Sequence, residues 1–327
     1  MVVVNRVMNV IIYWMMIAGV SSSPATQWSY TNHETGPKTW PKNFKRMCAG
    51  HFQSPISLMS SRAFYLSELK AIKIYRRKTA PTSNNVVRNN GHSVVIDFPA
   101  DTWFVSFDET FDHSYEVSQM HFHWGSHDDL GAEHILDGRK YPMEAHIIAF
   151  WKVMYPTLKE AMDRPGGLAV LGVLHDVHDT ITSTESQMSK YGNLSEQLRS
   201  SLSPGISQSI PEFNLSNILS NISTDSYFRY QGSLTTPPCT ENVLWTVFTD
   251  TVAVRSSEIN LFRSLLYPSY EAMKNMANNF RPVQALNPTG NVLFYRVVYR
   301  ASATDLDPPS FHYISAALFG IFSYKYM

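Results

Sequence analysis

Seven short apolar runs recur along this chain, and they constrain its fold more than any other feature. They are HSVVIDF (92–98), TWFVSF (102–107), SQMHFHW (118–124), EAHIIAFW (144–151), LAVLGVLH (168–175), NVLWTVF (242–248) and NVLFYRVVY (291–299). Runs of this length and composition are typical of β-strands. Several are apolar on both faces, which indicates a sheet covered on both sides. We therefore predict a predominantly β (α+β) fold at 27–300: a single domain with a large, twisted, mostly antiparallel central sheet and a few short peripheral helices.

The better helix candidates are the segments 195–202 and 257–266. The stretch 179–226 is rich in Ser, Asn and Thr, which predicts a surface excursion rather than core. Lys+Arg and Asp+Glu both number 27, so no positive balance favours binding to nucleic acid. The sequence gives no indication of the oligomeric state.

Both ends of the chain differ from the middle. Arg6, an apolar stretch at 7–20 and the small residues SSSPA predict a secretory signal peptide over 1–23, with an uncleaved anchor as the alternative. At the other end, 301–327 combines small residues, a polar spacer and an apolar tail, which is typical of a glycolipid-anchor signal. Ser302 is the predicted attachment residue, and a terminal strand or helix packed on the domain is the alternative.

The cysteines and sequons are compatible with secretion. Cys48 and Cys239 are the two cysteines, and an oxidising compartment would permit them to pair; two buried thiols are the alternative. Asn193, Asn214 and Asn221 each begin an Asn-X-Ser triplet and are candidate glycosylation sites, although such triplets are common by chance.

Two histidines in QMHFHW carry the chemical signal. In a strand, His121 and His123 point to the same face, where they can bind a metal or make ordinary hydrogen bonds. If 144–151 is the neighbouring antiparallel strand, His146 faces the same point. Three imidazoles with an open fourth position make a catalytic Zn²⁺ site. Gln119 and Glu144 each precede a histidine by two residues, so either can accept the second ring N–H.

The motifs resemble those of the α-class carbonic anhydrases, in particular their secreted and glycolipid-anchored extracellular members. They occur in family order: WSY (28–30), QSPISL (53–58), NNGH (89–92), QMHFHWGS (119–126), EH (133–134), YPMEAH (141–146), GGLAVLGV (166–173), GSLTTPP (232–238) and FRPVQ (280–284). The resemblance implies reversible hydration of carbon dioxide to bicarbonate by zinc-bound hydroxide. It also implies inhibition by sulfonamides and anions, a Cys48–Cys239 disulfide, and a location at the extracellular face of the plasma membrane or, alternatively, secretion.

The resemblance also implies a role for individual residues. The zinc ligands would be His121, His123 and His146, with Gln119 and Glu144 hydrogen-bonded behind them. The Thr235 hydroxyl would accept a hydrogen bond from the hydroxide and donate one to Glu133, and Thr236 would line the substrate site. The carbon dioxide wall would comprise Ile148, Val170, Leu234, Val243 and Trp245. Tyr30 and Asn90 would order the proton-relay water, and His92 would be the proton shuttle.

Val95 replaces a residue that is polar in many members of that family, which places the efficiency of proton transfer in question. Two rival functions are a carbonic-anhydrase-like adhesion or receptor module without catalysis and a zinc hydrolase of esters or phosphoesters. The retained histidines oppose the first, and the apolar wall opposes a large or charged primary substrate. His175 and His178 are predicted to be surface or turn residues, and His134 is expected to make a structural hydrogen bond.

Overall fold

A computed structural model describes residues 27–301 except 46, 109–113, 183, 185, 193, 200–202, 269–273 and 287–297. The predicted signal peptide, the tail with Ser302, and the sequon at Asn193 therefore lie outside the described residues. The strands are β1 Ser57–Leu58, β2 Phe64–Tyr65, β3 Lys73–Arg76, β4 Asn85–Asn89, β5 Val94–Asp97, β6 Trp103–Ser106, β7 Ser114–Trp124, β8 Ile135–Leu136, β9 Met143–Phe150, β10 Leu168–Val177, β11 Ser207–Ile210, β12 Tyr227–Gly232, β13 Val243–Val254 and β14 Tyr299–Arg300. The helices are α1 Trp40–Asn43, α2 Leu158–Ala161, α3 Leu194–Arg199 and α4 Ser256–Arg263.

Twelve of these strands form one large mixed sheet in the order β11-β4-β5-β7-β9-β10-β13-β12-β14-β2, with β6 beside β7 and β3 beside β6. Most neighbours are antiparallel, whereas β10–β13 and β14–β2 are parallel. Strands β5, β6, β7, β9, β10 and β13 coincide with the predicted runs. Of the run at 291–299, only the last residue falls within a described strand.

The centre of the sheet is buried on both faces, as the apolar runs predict. Every residue of β9 is buried, and its side chains alternate between two core clusters. Ile147 belongs to the larger cluster and Ile148 to the smaller one, which also holds Val170 and Trp245. Because alternation fixes which side chains share a face, the register of β9 decides what surrounds His146.

The stretch 179–226 is not the surface excursion that its composition indicates. Met188, Tyr191, Leu194 and Ile218 from this stretch are at most 1% exposed and belong to the larger core cluster. Polar residues at the starts of the helical turns accept capping hydrogen bonds, as the Ser186 side chain does from the Met188 amide. The Ser- and Asn-rich composition therefore reflects the caps of short helical turns, whose apolar residues cover one face of the sheet.

The helices are short and peripheral, as predicted. Helix α3 begins one residue before the predicted segment at 195–202. Among the described helices, α4 is the longest at eight residues and overlaps the predicted segment at 257–266. In the part of the chain that the structure describes, no helix has the length and apolar character needed to cross a bilayer.

Candidate active site

Strand pairing brings the three predicted histidines together. In the antiparallel β7–β9 ladder, His121 lies directly opposite His146, and His123 is two residues further along β7 on the same face. The His123 and His146 ring centroids are 4.5 Å apart, and those of His121 and His146 are 5.3 Å apart. One nitrogen from each ring lies within 4.8 Å of the others, which is close enough for one metal ion.

Hydrogen bonds behind the rings determine which nitrogens are free. His123 Nδ1 lies 2.8 Å from the main-chain oxygen of Asn279, and His146 Nε2 lies 2.9 Å from Glu144 Oε1. Because both partners only accept, these ring nitrogens donate. His123 Nε2 and His146 Nδ1 are left as lone-pair nitrogens, and His123 Nε2 has no hydrogen-bond partner among the described residues. The free nitrogens are what a metal ligand requires.

Glu144 is held by four donors and cannot turn away from His146. Its Oε2 accepts the main-chain amides of Glu133 and His134, each at 2.9 Å, and its Oε1 lies 2.7 Å from His134 Nδ1. Burial acts to raise the Glu144 pKa, but His134 and His146 outweigh it and hold the pKa well below its usual range. The other ring nitrogen of His134, Nε2, lies 2.6 Å from the Tyr230 hydroxyl, so the structural hydrogen-bonding role of His134 is confirmed.

His134, Glu144 and His146 form a second group whose atoms are close enough for a metal ion. Their mutual hydrogen bonds already engage His134 Nδ1 and His146 Nε2. A metal there would have to displace both bonds, so the chemistry of the donor set favours the three-histidine group.

Burial keeps the three histidines neutral near pH 7. It lowers the pKa of His123 to about 4, and it lowers the pKa values of His121 and His146 in the same direction. A neutral imidazole is the form that binds a metal, so no proton has to be removed at physiological pH.

Glu133 faces the free nitrogens from the other side. Its Oε2 lies 3.5 Å from His123 Nε2 and 3.9 Å from His146 Nδ1, and its Oε1 accepts the Arg281 amide at 2.7 Å. Burial raises the Glu133 pKa to about 7, while His146, the Arg281 amide and the Thr235 hydroxyl, in decreasing order, act to lower it. Glu133 Oε2 makes no hydrogen bond of ordinary geometry within the described residues.

Thr235 is positioned by the turn that joins β12 to β13. The Leu234 amide donates to the Thr240 oxygen at 3.0 Å, and the Cys239 amide donates to the Thr236 oxygen at 2.8 Å. Cys239 is joined to Cys48 by a disulfide, so the two cysteines pair as the family resemblance implies. Thr235 is buried, and Thr236 beside it is partly exposed.

The predicted apolar wall lies beside His146. Ile148, Val170, Val243 and Trp245 belong to the smaller core cluster, and partly buried Leu234 packs against it. In register, Val170 lies between Ile148 of β9 and Trp245 of β13. The Trp245 ring meets the His146 ring edge-on at 4.8 Å. The wall therefore continues directly from the histidine cluster.

The predicted polar side is built from loops. Asn90 Oδ1 accepts the amides of His92 and Ser93 at 2.9 and 2.7 Å. The partly exposed His92 ring is stacked on Trp28 at 3.8 Å between centroids, and Trp28 also meets Tyr30 edge-on at 5.3 Å. Burial lowers the pKa of His92. Val95 lies opposite His121 in the β5–β7 ladder, so an apolar side chain flanks the cluster there.

Sequence reasoning assigned no role to three residues that hold the site. Asn279 binds His123, Arg281 holds Glu133 through its amide, and Trp28 stacks on His92. Two of them lie in the quoted motifs WSY and FRPVQ, whereas the signal for Asn279 is only its position before FRPVQ. The role predicted for Gln119, on β7 two residues before His121, stays a prediction.

The prediction for His175 is wrong. This residue is fully buried on β10, where its Nε2 lies 2.7 Å from the Tyr191 hydroxyl. In the sheet it lies between buried Met143 of β9 and buried Val252 of β13, and Tyr191 comes from the stretch that was expected at the surface. His178 and His127, in contrast, are exposed.

The chain is similar to known proteins along most of its length. The family model for eukaryotic-type carbonic anhydrase matches residues 35–293. Human carbonic anhydrase 7 is 34% identical over 261 residues, covering 79% of this chain and 94% of that protein. The mouse protein of the same name is 33% identical over 262 residues, with coverages of 79% and 94%. Human carbonic anhydrase 12 is 32% identical over 271 residues, covering 80% of this chain and 73% of that protein.

Proposed function

Because this chain belongs to the eukaryotic-type carbonic anhydrase family and so hydrates carbon dioxide reversibly, we propose that it does so with Zn²⁺ held by His121, His123 and His146. The observation that carries the proposal is the set of free ring nitrogens. Hydrogen bonds to Asn279 and Glu144 leave two lone-pair nitrogens beside Glu133 in a buried cluster. A bound zinc ion lowers the pKa of a coordinated water to about 7 and so supplies hydroxide at neutral pH.

Thr235 and Glu133 orient the attacking oxygen. A threonine hydroxyl that donates to the Glu133 carboxylate has only its lone pairs left to face the nucleophile. It then accepts the nucleophile's hydrogen and rejects an oxygen that offers none. The remaining lone pair of the nucleophile points at the substrate. The Arg281 amide at 2.7 Å keeps the carboxylate in place for this selection.

The apolar wall holds the substrate and excludes water. Carbon dioxide has no net dipole, and the cluster of Ile148, Val170 and Trp245 offers it dispersion contacts without competing hydrogen bonds. Bicarbonate is charged, so the same wall favours its departure. Sulfonamides are expected inhibitors because a deprotonated sulfonamide offers a negative nitrogen that keeps one hydrogen for the Thr235 hydroxyl. Small anions are expected to inhibit through their charge, without satisfying Thr235.

His92 is the proposed proton shuttle. After bicarbonate leaves, the site has to lose one proton to buffer, and an imidazole that is partly exposed and outside the ligand set can carry it. Its partly exposed ring stacks on Trp28, and Trp28 in turn contacts Tyr30.

We further propose that the enzyme works at the extracellular face of the membrane. The Cys48–Cys239 disulfide favours an oxidising compartment, and the signal-like and anchor-like ends of the sequence agree with it. Release of the protein from intact cells by a phosphatidylinositol-specific phospholipase is the expected result. Retention on the membrane after that treatment, with the cell-surface protein still reachable by antibody, contradicts the lipid anchor.

The zinc proposal is tested by stopped-flow carbon dioxide hydration on a sample whose zinc content is measured. The native protein should contain about one zinc per chain, and a chelator should remove metal and activity together. His146→Ala should lose both, whereas His127→Ala removes an exposed histidine near the same strand and should keep both. An active His146→Ala protein, or active protein without zinc, contradicts the assignment.

A further inference from the structure

Asn279 is a buried polar junction behind the histidine cluster. It is fully buried, and every hydrogen-bonding atom of its side-chain amide is used. Oδ1 accepts the Trp124 amide at 2.8 Å, and Nδ2 donates to the main-chain oxygens of His92 and Phe122 at 3.0 and 3.1 Å. Its own main-chain oxygen holds the His123 ring. One residue therefore contacts a proposed metal ligand and the main chain of the proposed proton shuttle.

The turn that carries His92 has few other ties to the cluster. Asn90 caps the turn locally, and Gly91 has a φ of +87°, a conformation that L side chains rarely adopt. Ser93 fastens the end of the turn to Phe122 of β7, where its Oγ donates to the Phe122 oxygen at 2.5 Å and accepts the Phe122 amide at 3.1 Å. At His92 itself, the described hydrogen bond that reaches beyond the turn is the one from Asn279.

We propose that Asn279 is a positioning residue that fixes the His92 main chain at a set distance from the strand bearing His121 and His123. The inference rests on the proposed shuttle role of His92. Proton transfer falls steeply with misplacement of the reacting groups, and an error of 1 Å can cost about 100-fold. The same side chain binds β7 at Phe122 and Trp124, so movement of the turn relative to β7 would break hydrogen bonds inside a buried site, which is costly.

The amide chemistry explains why an asparagine is needed. Both carbonyls that face Nδ2 can only accept, so the side chain has to supply two hydrogens there and a lone pair at Trp124. Aspartate has nearly the same shape but no hydrogens to donate, and its charge would repel both carbonyls. Asn279→Asp is therefore expected to release the His92 turn while the main-chain bond to His123 remains.

The first test measures kcat and kcat/KM for carbon dioxide hydration with little buffer and with added imidazole. Because proton export follows release of bicarbonate, a displaced shuttle lowers kcat and spares kcat/KM. Asn279→Asp should lose about tenfold in kcat and less than about threefold in kcat/KM, and imidazole should restore kcat. The control is Asn278→Gly, which removes an exposed amide that binds only Ser126 among the described residues. Glycine also tolerates the φ of +56° at this position. The control variant should match the native enzyme.

Two readouts besides activity complete the test. The rate at which a chelator removes zinc should change less than about threefold in Asn279→Asp, since the His123 partner is a main-chain oxygen. In the native protein, NMR should show Asn279 side-chain amide hydrogens that exchange slowly with solvent. Fast exchange of these hydrogens overturns the proposal even if the aspartate variant fails to fold.

His92→Ala separates failure of this inference from failure of the shuttle. If His92→Ala lowers kcat and Asn279→Asp does not, Asn279 does not position the shuttle, and the proposed function stands. If His92→Ala leaves kcat unchanged, the shuttle and the inference both fail. If both variants lower kcat, the double variant should lose no more than His92→Ala alone; additive losses would show that Asn279 acts elsewhere.

Discussion

The two sides of the histidine cluster are constructed differently. On the apolar side, Ile148, Val170 and Trp245 belong to paired strands, and their positions follow from the registers of β9, β10 and β13. On the polar side, Asn90 and His92 lie in a loop that is held by side-chain hydrogen bonds and a ring stack. Ladder contacts are many and cooperative, whereas each loop contact is single. We call the apolar side the framework side and the polar side the loop side. Mutations on the framework side should therefore lower the free energy of unfolding, and mutations on the loop side should alter proton transfer.

The Cys48–Cys239 disulfide joins the two sides and should show the largest effect. It ties the Thr235 turn to the aromatic cluster of Trp28, Tyr30 and Trp40, and its sequence separation is 191 residues. In the chain-entropy model such a loop contributes about 5 kcal/mol. Cys48→Ala with Cys239→Ala should lower the free energy of unfolding in urea by about that amount. A loss below about 1 kcal/mol would show that strand pairing alone holds the turn.

Trp245→Ala should be the next largest change in stability, and it acts on the apolar side of the cluster. The centroid of its ring lies 4.9 Å from that of His134 and 4.8 Å from that of His146. Its Nε1 donates to the Ser233 oxygen at 2.9 Å. Removing a buried tryptophan costs about 3–5 kcal/mol, which urea unfolding measures. Trp245→Phe keeps most of the ring and should lose less. Equal losses in the two variants would assign the effect to the hydrogen bond instead of packing.

The framework was also the side that the sequence predicted well. Apolar runs fixed the positions of the central strands, and a spacing of two residues placed His121 and His123 on one face. Composition failed at 179–226, because Ser and Asn can cap buried helical turns as readily as they populate loops. Those turns bring buried Tyr191 to within hydrogen-bond distance of His175, which is also fully buried.

Contacts between distant segments were beyond the sequence. Asn279 is 156 positions from His123, and no local pattern relates them. Gly172 is a similar case: a Cβ there would lie 2.8 Å from Glu144 Oε1, so glycine permits Glu144 to reach His146. A strand pattern shows that residue 172 is buried but not what approaches it. The loop side depends on such pairs, which is why its residues were identified by family resemblance and not by periodicity.

His175 offers a test of the framework by pH. Burial lowers its pKa to about 4 from an ordinary value of 6.5, so the folded state disfavours the proton that the unfolded state accepts. Above pH 6.5 His175 is neutral in both states and does not lower the free energy of unfolding. As the pH falls from 6.5 towards 4, protonation of the unfolded state lowers that free energy by about 3 kcal/mol in all. His175→Gln should flatten the dependence of unfolding free energy on pH between these values. Equal slopes for both proteins would assign acid lability to other groups.

Trp28 tests the loop side and should have the smallest effect on stability. Its ring covers His92, and burial is what lowers the His92 pKa. Trp28→Ala should therefore raise that pKa towards its usual value, as measured by NMR titration of the ring. Tyr30→Phe keeps the edge-on packing against Trp28 and should leave the His92 pKa unchanged.

A raised His92 pKa in Trp28→Ala favours the protonated imidazole at neutral pH. The pH dependence of kcat should therefore move upward with it, while that of kcat/KM stays in place. If both profiles move together, the aromatic cluster acts on the histidine site itself, and the separation of the two sides fails.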